Sequence, residues 1–114
     1  MADEVILINL EDGLKRVMNN KKLYVKLLLK FKDSTNLDEL EALLAAGDLE
    51  KSQGVVHTLK GLAANLSFTE LFKQSLDLET QIKAKAVDPG QLDMLKGAFA
   101  KTLQEIDKVI AENG

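Results

Sequence analysis

Apolar residues recur along this chain at spacings of three and four, the period of a helix packed on one side. β-branched residues rarely alternate with polar ones. Polar interruptions divide the pattern into six helical segments. Asn9 heads a short first helix, Leu10 to about Met18, which Asn19-Asn20 ends. A second runs from about Lys21 to Lys32, with Leu23, Leu27 and the series Tyr24, Leu28, Phe31 at helical spacing, and Asp33-Ser34-Thr35-Asn36 breaks it. Asn36 with Glu39 has the spacing of a capping box and opens a third helix to about Ala46. Gly47-Asp48 reads as a C-cap glycine followed by an N-cap aspartate, starting a fourth helix from Leu49 to about Leu66. Ser67 with Glu70 repeats the capping box ahead of a fifth helix, about Phe68 to Ala86. Asp88-Pro89-Gly90-Gln91 combines an N-cap aspartate, a proline in the first turn and a glutamine three residues on. It opens a last helix striped with Leu92, Leu95, Phe99, Leu103, Ile106 and Ile110.

The connections between the last four segments are short, which makes sequential helices antiparallel neighbours. The expected fold is all-α: an antiparallel up-down-up-down four-helix bundle over about residues 36–113. Two additional N-terminal helices cover one end or side, and residues 1–114 form a single domain.

Composition agrees and narrows the chemistry. The chain has 114 residues, 46% of them hydrophobic, enough for one packed core. A net charge of −3 gives no basic surface for nucleic acid. With no cysteine there is no disulfide and no thiolate metal site. The acidic opening Met1-Ala2-Asp3-Glu4 and the short apolar run after it do not make a signal peptide, and no stretch has the roughly 20 apolar residues of a membrane span. The expectation is a soluble cytoplasmic protein.

The fourth helix carries the chain's one histidine, His57. Advancing about 100° per residue from His57 puts Val55, Leu59, Leu62 and Leu66 on the opposite side, flanked by Val56 and Ala63. That side faces the core, so His57 faces solvent, with Gln53, Gly54, Lys60, Gly61 and Ala64 on its own side. Glycine inside a helix costs up to about 1 kcal/mol relative to alanine, so Gly54 and Gly61 need a reason. Keeping the imidazole open to a partner is one, and close helix packing is another. Lys60, one turn on, brings an ammonium that would offset the charge of a phosphorylated imidazole, although most surface lysines are simply solvated. A neutral imidazole, with a reference pKa of about 6.5, is nucleophilic at cytosolic pH.

His57-Thr58-Leu59-Lys60-Gly61-Leu62-Ala63-Ala64-Asn65-Leu66 resembles the histidine-containing phosphotransfer (HPt) family, whose core pattern is His-x-x-Lys-Gly followed by small residues. The likeness extends outward through Leu23-Tyr24, Leu28 and Phe31, through Leu40 and Leu44-Ala45-Ala46-Gly47-Asp48, and through Leu76 and Leu78-Glu79. The resemblance implies that His57 is the phosphoryl acceptor, that Lys60 stabilises phosphate charge, and that Gly61 gives a partner access. It implies a bundle with no ATP site and no cofactor. Its partners would be receiver domains of a hybrid sensor histidine kinase and of response regulators, with magnesium held by the receiver. Gln53, Gly54 and Ala64 would touch that partner. The family's usual glycine ten residues after the histidine is Ser67 here, which should cap the next helix instead. Phe68 either joins an apolar rim for the partner or belongs to the core.

Two other readings compete with a monomeric phosphocarrier. A helical adaptor that binds partners without chemistry would not need glycine and lysine arranged around a histidine. An enzyme or metal protein lacks support: there is no second histidine, no glycine-rich phosphate loop and no Ser/His/Asp set. The acidic residues read mostly as solvated helix faces.

Overall fold

The computed structural model describes residues 7–113, so the acidic opening Met1-Ala2-Asp3-Glu4 lies outside the described residues. Six helices follow in order: α1 (Leu10–Arg16), α2 (Lys21–Ser34), α3 (Asp38–Ala45), α4 (Leu49–Leu66), α5 (Thr69–Lys83) and α6 (Gln91–Asn113). Among the described residues there is no strand, as the all-α reading requires.

Three starts are made by side-chain caps. Asn9 Oδ1 accepts from the amide of Asp12, Asn20 Oδ1 from that of Leu23 and Asp48 Oδ1 from that of Lys51, each at 3.1 Å. Each cap satisfies an amide that the first turn leaves without an intrahelical partner.

The two expected capping boxes do not form. Leu37 stands at the cap of α3 without a side-chain bond, and Asn36 Oδ1 accepts instead from Asp38 N at 3.0 Å. Phe68, not Ser67, stands at the cap of α5, and Glu70 accepts from Gln74 Nε2 at 2.8 Å. Ser67 instead ends α4 in the left-handed conformation, φ 63°. This region costs a residue with a Cβ about 1 kcal/mol. Two contacts offset that cost: Ser67 Oγ donates to Asp12 Oδ2 at 2.6 Å, and the Ser67 carbonyl accepts from Asn9 N at 2.9 Å. Ser67→Gly should therefore leave stability nearly unchanged, because relieved strain and the lost hydroxyl bond cancel. Ser67→Ala keeps the strain and loses the bond, and should cost about 1 kcal/mol in a denaturant titration.

α4 packs on α5, α5 on α6, α6 on α2, and α3 lies against α4. This departs from the expected bundle of residues 36–113 with a covering N-terminal pair. α2 buries Tyr24, Leu28 and Phe31 in the common core, whereas the eight residues of α3 bury only Leu40. Length decides this: four turns of apolar stripe on α2 bury more surface than two turns on α3. Tyr24 ties the core to the end of α4, its hydroxyl donating to the Leu66 carbonyl at 2.8 Å. Burial pushes that phenol up to about 12. Gly13 of α1 lies against the same ring, where an added Cβ would stand 2.6 Å from the hydroxyl oxygen.

Candidate functional site

Helix α4 buries Ser52, Val56, Leu59, Ala63 and Leu66. Its core face is thus turned roughly 50° from the one expected on Val55, Leu59, Leu62 and Leu66. Leu62 is 37% exposed, and with Val55 it lines a shallow groove beside Leu37 and Leu43. The rotation follows from packing against α5, which takes the Val56–Ala63 side. It moves His57 from directly opposite the core to the margin of the α4–α5 interface.

At that margin His57 is 67% exposed, yet its ring is held. Nδ1 lies 3.0 Å from Oε2 of Glu79 on α5. Glu79 is 2% exposed and also gathers two cations: Lys60 Nζ stands 2.6 Å from Oε1, and Lys83 Nζ 3.8 Å from Oε2. The Lys60 contact is a charge contact without hydrogen-bond alignment at Oε1. The Lys60 ammonium is the main cause holding the Glu79 carboxyl below the usual carboxylate range. Burial pulls the other way, and His57 and Lys83 add to the lowering.

A carboxylate only accepts hydrogen bonds, so Nδ1 is the nitrogen that carries the proton. Nε2 then holds the lone pair. A buried carboxylate in this place fixes both the orientation of the ring and its tautomer.

The flanking positions are open. Gly54 and Gly61 are exposed, and a Cβ built on either meets nothing within 4 Å. Close helix packing within the chain is therefore not the reason for Gly61. Gln53 and Ala64 are half-buried beside them. Phe68 is not part of this surface: it is fully buried, edge-on to Phe31 with centroids 4.9 Å apart at 71°. Its position at the α4–α5 corner turns the ring inward, which settles the open choice in favour of the core. Among the described residues no group of three or more His, Cys, Asp or Glu could hold a metal ion. No described helix is long and apolar enough to cross a membrane.

Compared with known families, residues 28–111 match the model of the Hpt domain. The chain belongs to the Hpt domain family. Comparisons with curated proteins and with solved structures gave no match. Hpt domains transfer phosphoryl groups through a histidine in phosphorelays, exchanging them with receiver domains. They are phosphocarriers rather than enzymes with catalytic sites of their own. The matched span of this Hpt domain contains α3, α4, α5 and nearly all of α6, and so His57, Lys60, Gly61 and Glu79; α1 and the first turns of α2 precede it.

Two features of this Hpt domain were not read from the sequence. The sequence pattern gives Glu79 no role at the site and puts Lys60 facing solvent, whereas the structure pairs the two. The signal was present in α5, where Glu79 falls on the stripe of Leu71, Gln74, Ser75, Leu78 and Ile82, all buried. A buried carboxylate on such a stripe needs a charged partner, and half-buried Lys60 supplies one.

Proposed function

We propose that His57 of this Hpt domain accepts a phosphoryl group from the aspartyl phosphate of one receiver domain and passes it to the aspartate of another. One observation carries the reading: an exposed imidazole whose Nδ1 is tied to a buried carboxylate, leaving Nε2 as a fixed, outward lone pair. In the forward step Nε2 attacks phosphorus, the P–N bond forms, and the acyl P–O bond breaks to release the receiver's carboxylate. The return step reverses this on a second receiver. Magnesium comes with the receiver.

Lys60 lies one turn from His57 and offsets the charge of the phosphoryl group from its place beside Glu79. Gly61 leaves room for the receiver's active site, and Gln53, Gly54 and Ala64 form its landing surface. The upstream receiver belongs to a hybrid sensor histidine kinase and the downstream one to a response regulator. Residues 1–114 act as a single monomeric domain in the cytoplasm. It has no ATP site, autokinase activity or cofactor, and binds neither nucleic acid nor membrane.

The test is incubation with a phosphorylated receiver, followed by assay of the chain for acid-labile, alkali-stable phosphate. If the receiver loses its phosphoryl group only to water, the reading fails and an adaptor remains. Gly61→Ala separates access from folding. Because a Cβ meets open space, it should raise stability by up to about 1 kcal/mol. It should also slow transfer from the receiver several-fold, as read by rapid-quench kinetics. An unchanged transfer rate would return Gly61 to a neutral surface position.

A further inference from the structure

Return transfer breaks the P–Nε2 bond, and its ease depends on the nitrogen left behind. With a proton on Nδ1 the ring departs as neutral imidazole. Without it the ring departs as imidazolate, a far stronger base and a poorer leaving group. A phosphoryl group attached at Nε2 leaves Nδ1 and its contact unchanged, because the two nitrogens point in different directions. The carboxylate 3.0 Å from Nδ1 is 2% exposed. Water screens it weakly, so its charge acts on the ring more strongly than a surface carboxylate would.

We propose that Glu79 is a positioning residue that holds the proton on Nδ1 of phosphorylated His57, keeping the ring a competent phosphoryl donor at pH values where a phosphohistidine without such a partner has lost it. This rests on the phosphocarrier reading above. In the donor step a receiver carboxylate oxygen bonds to phosphorus, and the P–Nε2 electron pair returns to Nε2. The Nδ1 proton stays between the ring and Oε2, and neutral imidazole remains. The groups facing the Glu79 carboxylate are His57 and Lys60 from α4 and Lys83 from its own helix. Among the described residues α6, packed on the far side of α5, brings no cation within ion-pair distance. Lys60, with the shortest contact at 2.6 Å, competes with the ring for the carboxylate's charge.

The chain is phosphorylated with phosphoramidate and freed of the reagent. Loss of the phosphoryl group to water, and separately to a receiver, is then followed across the range in which imidazoles titrate. Glu79→Gln keeps an acceptor oxygen and the side-chain shape but removes the charge. It should lower the pH midpoint of donor activity by about one unit, making transfer about tenfold slower on the alkaline side. Lys60→Met removes the competing cation and should move the midpoint upward, so the two variants shift in opposite directions. If Glu79→Gln does not fold, judged by circular dichroism, the sign of the Lys60→Met shift decides. Coincident midpoints, or a downward shift in Lys60→Met, overturn the proposal. Loss to water reads the Nδ1 proton without any receiver. Failure of every receiver to accept would therefore remove the phosphocarrier reading while leaving the role of Glu79 decided by the midpoints.

Discussion

His57→Gln abolishes phosphoryl uptake from a phosphorylated receiver and leaves the bundle folded. The chain has no other histidine, so no second imidazole can substitute. The side chain is 67% exposed and contributes no apolar packing to the core. Its removal takes one hydrogen bond from Glu79, which keeps Lys60 and Lys83. The expected stability change is within about 1 kcal/mol, while acid-labile label falls to background. Thermal unfolding by circular dichroism and a label-retention gel on the same preparation check both halves. Label that persists on the variant would move the chemistry to another residue.

Phe68→Ala does the opposite, lowering stability severely. The ring is fully buried between α2 and the α4–α5 corner, edge-on to Phe31, which in turn tilts against Phe99 with centroids 5.9 Å apart. Deleting a buried phenylalanine removes its transfer energy and leaves a cavity, about 3–5 kcal/mol together. A small domain has about 5–15 kcal/mol in total, so the variant should lose a large share of it. Its thermal midpoint should fall by more than about 10 °C. A variant that melted like wild type but exchanged slowly with receivers would place Phe68 on the docking surface after all. The contrast with His57→Gln matters because an uninterrupted helix would carry the two residues on nearly one line, whereas the left-handed turn at Ser67 ends α4 and sends Phe68 into the core.

Helix by helix, much of this was readable beforehand. Asn9 and Asp48 cap where their side chains and positions indicate, because capping is local: the acceptor and the amide it serves are three residues apart. Ser67 and Asn36 defeated the same rule. Each has the right partner at the right spacing, but the chain turned a residue later in both places. At Ser67, Asp12 decided the matter from 55 residues away by accepting the hydroxyl proton. The exposure of His57 followed from periodicity, although the projection was off by half a residue step, since it assumed a core on one side only. α5 occupies a flank of α4, and no single-helix projection registers that.

The sequence by itself determined the six helices, the family pattern around His57, and an imidazole outside the core with glycines beside it. All of these rest on spacings within one helix, and hydrogen bonds and apolar periodicity make such spacings legible. Only the tertiary structure decided that α2 joins the core, that Phe68 turns inward, and that Glu79 reaches across from α5 to hold Nδ1 at 3.0 Å and Lys60 at 2.6 Å. That choice depends on how two helices rotate against each other. A rotation of tens of degrees leaves every local spacing intact while changing which charged group lies next to the nucleophile.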